Sequence, residues 1–132
     1  MTEKNPQNGT DPYEFILRYI DSVPQLEALM LLWNSRPVGW TIDELASRLY
    51  LSKDRIGDLL RDLIRLHFVA EKQASSPKYS YFAGSDEQDE MMRQVDAAYR
   101  HDLVRISTMI HSKASSAVRE FARAFRFKKE QE

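Results

Sequence analysis

The sequence predicts a mainly α-helical protein with one small β-hairpin, followed by a long C-terminal helix or two helices. Three observations carry that expectation. Apolar residues recur at steps of three and four along most of the chain, the period of helices with one buried face. Residues 68–72 and 78–83 switch to short β-prone runs around a polar tip. Residues suited to capping stand directly ahead of the helical stretches.

Residues 1–10, MTEKNPQNGT, are polar and lack an apolar signal core, which predicts a disordered tail and a cytoplasmic protein. Asp11-Pro12-Tyr13-Glu14 then supplies a cap, a proline suited to the first helical position and a glutamate that reaches back to the cap. Phe15, Ile16, Tyr19 and Ile20 form the apolar face of that first helix. Pro24 starts a second one through Leu26, Leu29, Met30 and Trp33, and Arg36-Pro37-Val38-Gly39 closes it. Residues 38–40 are expected to be a short isolated strand.

Thr41-Ile42-Asp43-Glu44 is a second capping box, with Ile42, Leu45, Ala46 and Leu49 on the buried side of a two-turn helix. A turn at Tyr50-Leu51 leads to Ser52, the cap of the next helix, whose core side is Ile56, Leu59, Leu60, Leu63 and Ile64. His67 stands at that helix's end, where a left-handed residue or a charge favourable to the dipole is expected; a pH-sensing role is the alternative. The hairpin strands follow, with Gln73-Ala74-Ser75-Ser76-Pro77 as the tip. Tyr79, Tyr81 and Phe82 read as packing residues of a half-buried hairpin rather than base-stacking ones.

The run Thr41-Ile42-Asp43-Glu44-Leu45-Ala46, then Leu51-Ser52, then Ile56 and Leu59-Leu60-Arg61-Asp62-Leu63, resembles the winged helix-turn-helix of MarR-like and PadR-like bacterial regulators. The resemblance covers about residues 12–83 and rests on hydrophobic spacing, so it speaks to fold before function. It implies a winged-helix domain over residues 11–84, a second motif helix that enters the DNA major groove, and terminal helices that form a homodimer. Wing tips of DNA-binding relatives often carry arginine, whereas this tip has Ala74-Ser75-Ser76-Pro77.

Composition narrows the field. The chain has 132 residues, 42% hydrophobic and 30% charged, enough for one compact domain with an appended arm. Its longest apolar run, residues 28–33, is far short of a membrane span. Cysteine is absent and His67, His101 and His111 show no ligand spacing, so no metal and no cofactor is expected. A glycine-rich phosphate loop and a nucleophile with a nearby base are also missing, which argues against an enzyme.

Net charge is −1, but residues 1–90 hold ten Lys and Arg against fifteen Asp and Glu, whereas residues 91–132 hold nine against five. An acidic domain lowers the expectation of tight nonspecific duplex binding. The conflict is sharpest on the motif helix, where Asp54, Asp58 and Asp62 stand among the basic residues.

With Ile56 turned inward, Asp54, Asp58, Arg61 and Arg65 face outward, and Arg55 and Asp62 lie toward one flank. The DNA-binding reading assigns Ser52 and Lys53 to phosphate and Arg55 and Arg61 to base edges, with Lys72 and Lys78 of the wing straddling the backbone. The plainer reading makes Asp58 with Arg61 and Asp62 with Arg65 helix-supporting pairs, and the wing lysines guards against edge-to-edge pairing.

From Asp86 onward, Val95, Tyr99, Leu103, Ile106, Ile110, Ala114, Ala117, Phe121 and Phe125 form one apolar stripe, too long for a single helix to bury on its own domain. A break near residues 111–116, where helix formers thin out, is expected to leave two helices. Tyr99, Leu103, Ile106, Ile110, Phe121 and Phe125 are the expected dimerisation residues of an arm over residues 85–127, ahead of a charged tail at 128–132. Arg119, Arg123, Arg126, Lys128 and Lys129 make that end basic, suiting an acidic partner, anionic lipid, flanking DNA or simply the helix dipole.

Together these readings predict a homodimeric regulator that binds double-stranded DNA with residues 52–66 and a wing at 68–83. The alternative is a winged-helix protein–protein interaction module with little or no DNA binding.

Overall fold

The computed structural model describes the backbone of residues 11–130 and the side chains of residues 11–116 and 118–124. The tail expected over residues 1–10 lies outside the described residues, as do the side chains of residues 128–132. Six helices and one antiparallel hairpin follow in the order α1 Pro12–Tyr19, α2 Val23–Asn34, α3 Ile42–Leu49, α4 Lys53–Arg65, β1 Val69–Lys72, β2 Lys78–Tyr81, α5 Asp86–His101 and α6 Leu103–Glu130.

Caps set the helix starts. Asp11 accepts from the Glu14 amide at 2.8 Å ahead of α1, and Ser22 accepts from the Gln25 amide at 3.2 Å ahead of α2. Helix α2 is the central element. Leu26, Ala28, Leu29, Met30, Leu32 and Trp33 are all buried, so it is covered on most sides and shows little amphipathic contrast. Around it gather Phe15 and Ile16 of α1, Leu45 of α3, Ile56, Leu59, Leu60 and Leu63 of α4, and Phe68, Val69, Tyr79 and Tyr81 of the hairpin.

The isolated strand expected at residues 38–40 is a single bridge, in which Trp40 and Tyr79 exchange backbone hydrogen bonds of 2.8 and 2.7 Å. Gly39 permits this approach, because a Cβ there would lie 3.1 Å from Lys78 Cβ.

The C-terminal stripe does divide into two helices, but the break falls at Asp102 and not within residues 111–116. Aspartate is poor in a helix interior and good at its ends. Here the Asp102 carboxylate is also held from outside: the Tyr13 hydroxyl donates to it at 2.7 Å, and Arg105 lies 4.3 Å over the Tyr13 ring. The serines of residues 111–116 cost a helix only a few tenths of a kcal/mol each, too little to end it without a competing partner.

The bend returns the first turns of α6 over α1. Ile106 and Ile110 join the same core as Met92, Val95 and Ala98 of α5, and Lys113 Nζ donates to the Ile20 carbonyl at 3.0 Å while pairing with Asp21 at 3.2 Å. Beyond Lys113 the described side chains of α6 are exposed. No helix among the described residues is long and apolar enough to cross a membrane.

Candidate nucleic-acid interface

The motif is built from α3, the turn after it, and α4. Thr41 Oγ1 accepts from the Glu44 amide at 3.1 Å and Glu44 Oε1 accepts from the Thr41 amide at 2.9 Å, closing the expected capping box. Leu45 anchors α3 in the core with no exposure, while Ile42, Ala46 and Leu49 pack around it. The helix stops because Tyr50 adopts a left-handed backbone, φ 59° and ψ 44°, and the Tyr50 and Leu51 amides both return to the Ala46 carbonyl. Ser52 Oγ then accepts from the Arg55 amide at 3.1 Å and starts α4.

Ile56, Leu59, Leu60 and Leu63 face inward, leaving Lys53, Asp54, Arg55, Asp58, Arg61 and Arg65 exposed along α4, as the spacing predicts. Their charges are largely matched within the chain. Arg61 pairs with Asp58 at 3.1 Å and Arg65 with Asp62 at 3.3 Å, each one helical turn apart. Lys53 pairs with Asp43 at 3.2 Å across the two motif helices, a contact between distant positions that periodicity does not reveal. Such exposed pairs are worth only about 0–1 kcal/mol each, so they are easily exchanged for stronger anionic partners. Arg55 has no ion pair among the described residues.

The far end of α4 is closed by His67, with φ 67°. The His67 amide donates to the Ile64 carbonyl at 2.9 Å and the Phe68 amide to the Leu63 carbonyl at 3.0 Å, the bond pair of a Schellman cap. His67 therefore occupies the left-handed helix-end position expected for it.

In the wing, Val69, Ala70, Glu71 and Lys72 stand opposite Tyr81, Ser80, Tyr79 and Lys78. Lys72 and Lys78 thus form a directly opposed, exposed cationic pair at the tip, an arrangement unfavourable to the hairpin by itself. Tyr79 and Tyr81 are buried, and Trp33 meets Tyr81 edge to face at 4.9 Å, so these aromatics pack the core, while Phe82 is exposed. The Tyr81 hydroxyl donates to Asp89 at 2.9 Å and accepts from Gln88 at 3.1 Å, tying the wing to α5, and burial pushes its pKa up to about 12.

The expected interface side chains thus reach the surface of one motif and wing, with Ser52 engaged as a cap and Lys53 and Arg61 engaged by carboxylates. The expected dimerisation residues are dispersed. Ile106 and Ile110 are buried in the chain's own core, because the bend at Asp102 folds them onto α1; Tyr99 is half-buried. Leu103 and Phe121 are exposed, and the Phe125 side chain lies outside the described residues. Exposed Val104 and Val118 on α6, and Tyr50 at 92% exposure, went unmarked by the sequence pattern. Tyr50 is legible only afterwards, as a bulky residue where a helix-ending glycine fits.

No family model and no curated protein matches the sequence. Solved structures do. HlyU from Vibrio cholerae is similar at 24% identity over 77% of this chain and 99% of that one, with a TM-score of 0.52. MepR, a transcription regulator of the Staphylococcus aureus multidrug efflux pump MepA, is 15% identical over 91% and 85% of the two chains, TM-score 0.52. Transcriptional regulator Tm0710 from Thermotoga maritima is 11% identical over 95% and 88%, TM-score 0.53. MepR has also been solved in complex with DNA, and that structure is 14% identical over 89% and 86%, TM-score 0.50. These likenesses establish the fold, a winged helix with flanking helices.

Proposed function

We propose that this chain is a homodimeric, DNA-binding transcriptional regulator. The observation that carries the reading is the exposed outer face of α4, with Lys53, Arg55 and Arg61, on the same motif as a wing whose Lys72 and Lys78 stand opposed at the tip. Phosphate between the two lysines relieves their mutual repulsion, so a wing costly in isolation becomes favourable on a duplex. That MepR, of similar fold, has been solved with DNA supports the same use of the motif here.

Arg55 and Arg61 read base edges in this account, with Lys53 exchanging Asp43 for phosphate and Ser52 presenting the start of α4 to the backbone. Leu103, Val104, Val118 and Phe121 on α6 are the exposed apolar residues that a second copy covers. Selection from genomic fragments followed by anisotropy titration tests the reading. A preferred fragment should emerge whose binding weakens as salt rises, and Arg55→Ala or Arg61→Ala should weaken it about tenfold. Failure to retain any duplex at low salt overturns it.

The matched charges of α4 favour a second reading, in which the face docks a protein of mixed charge. A stoichiometric protein partner displaced by Asp58→Arg, with no duplex retained, would favour that reading over the first.

A further inference from the structure

Tyr50 gives up stability twice in the free chain. Left-handed backbone at a bulky residue is a steric outlier, and helices that end this way usually place glycine there. His67 shares the conformation, but histidine belongs to the residues enriched in that region, and tyrosine does not. Nor is the cost offset by packing, since Tyr50 is 92% exposed. Its backbone amide closes α3 on the Ala46 carbonyl, which glycine would do equally well. The side chain makes no hydrogen bond among the described residues.

Its position suggests what it meets. Tyr50 stands between α3 and α4, next to Leu51-Ser52, at the end of α4 assigned above to the DNA backbone. There Ser52 Oγ is committed to the Arg55 amide and Lys53 to Asp43. The phenol is an uncommitted, neutral donor, able to approach a phosphate without first breaking an ion pair. Gly57 of α4 is a second feature of the motif that the chain's own packing does not require: a Cβ there would meet nothing within 4 Å, although glycine weakens a helix interior.

We infer that Tyr50 is a backbone anchor of the interface, its hydroxyl donating to a phosphate oxygen of the duplex held on α4; this rests on the DNA-binding reading above. The anchor is a positioning contact. It orients α4 without carrying sequence information.

The test uses the full chain and a fluorescein-labelled duplex selected by the parent protein, with affinity, its salt dependence and thermal unfolding measured in parallel. Tyr50→Phe keeps the ring and the backbone demand and should bind about tenfold more weakly, as expected on losing a hydrogen bond to a charged group. Its salt slope should match the parent's, because a neutral donor releases no counterion. Tyr50→Gly should bind at least as weakly as Tyr50→Phe yet unfold at a higher temperature, by about 3 °C, opposite to the loss of a structural side chain. Parent-like affinity of Tyr50→Phe overturns the anchor, and so does a Tyr50→Gly protein that unfolds at a lower temperature. A parent that retains no duplex overturns the DNA-binding reading itself and the anchor with it.

Discussion

Helix α4 and helix α6 both carry an apolar stripe at steps of three and four residues, and they dispose of it differently. In α4 the stripe ends where the domain ends: Ile56, Leu59, Leu60 and Leu63 are buried, and a left-handed cap stops the helix before apolar surface runs out into solvent. In α6 the stripe outlasts the core. Ile106 and Ile110 are covered by the chain itself, while Val118 at 67% and Phe121 at 73% exposure continue past its edge. Periodicity reports which side of a helix is apolar. What covers that side depends on how far the rest of the domain reaches.

The largest effect that can break this comparison is at Ile106. Ile106→Ala should lower unfolding stability by about 2–5 kcal/mol in urea titration, because the residue is wholly buried. A loss below about 1 kcal/mol would mean that α6 does not share the core. Phe121→Ser should leave the stability of the isolated chain within about 0.5 kcal/mol but weaken self-association about tenfold in sedimentation equilibrium. Unchanged self-association would remove Phe121 from the proposed dimer contact.

On the wing, where β2 packs against α2 and α5, Tyr81 provides a pH test. Its pKa is raised from 10.0 to about 12 by burial, so the folded chain holds this proton more tightly than the unfolded one. That contribution is complete below pH 10 and is lost as pH rises through about 12. Alkaline denaturation should therefore be shallower across that interval in Tyr81→Phe than in the parent, and an identical pH profile would contradict the buried phenol.

Smaller effects test the end of α4. His67→Gly should raise stability by about 1 kcal/mol, since glycine adopts the left-handed conformation without steric cost; a decrease in the urea midpoint would assign the imidazole a packing role. Asp43→Asn releases Lys53 and should tighten duplex binding about threefold with a steeper salt dependence, while changing stability by less than about 1 kcal/mol. Equal affinity in parent and variant would show that the Lys53–Asp43 pair does not compete with phosphate.

Much of the winged-helix domain was legible in the sequence because its signals are local. Thr41 with Glu44, Ser52, Asp11 and His67 each mark a helix end through bonds spanning a few residues, and the structure makes them. The outward set on α4 followed from the step of 100° per residue, and the pairs Asp58–Arg61 and Asp62–Arg65 from their spacing. The interface was legible in its members and not in their engagements. Asp43 lies far enough from Lys53 in sequence that only the crossing of α3 on α4 brings them to 3.2 Å.

The break in the C-terminal arm is not legible in the sequence for the same reason. Local propensity pointed to residues 111–116, but the decisive contact joins Tyr13 to Asp102, 89 residues apart. By itself the sequence determined which residues are apolar on which face, where helices begin, and that a helix-turn-helix leads into a hairpin, since these depend on bonds and steric limits within a few residues. Only the tertiary structure decided that Asp102 is the bend, that Ile106 and Ile110 belong to the chain's own core, and that Lys53 is already paired with Asp43. Each of these is set by surfaces and charges that meet after the chain has folded back on itself.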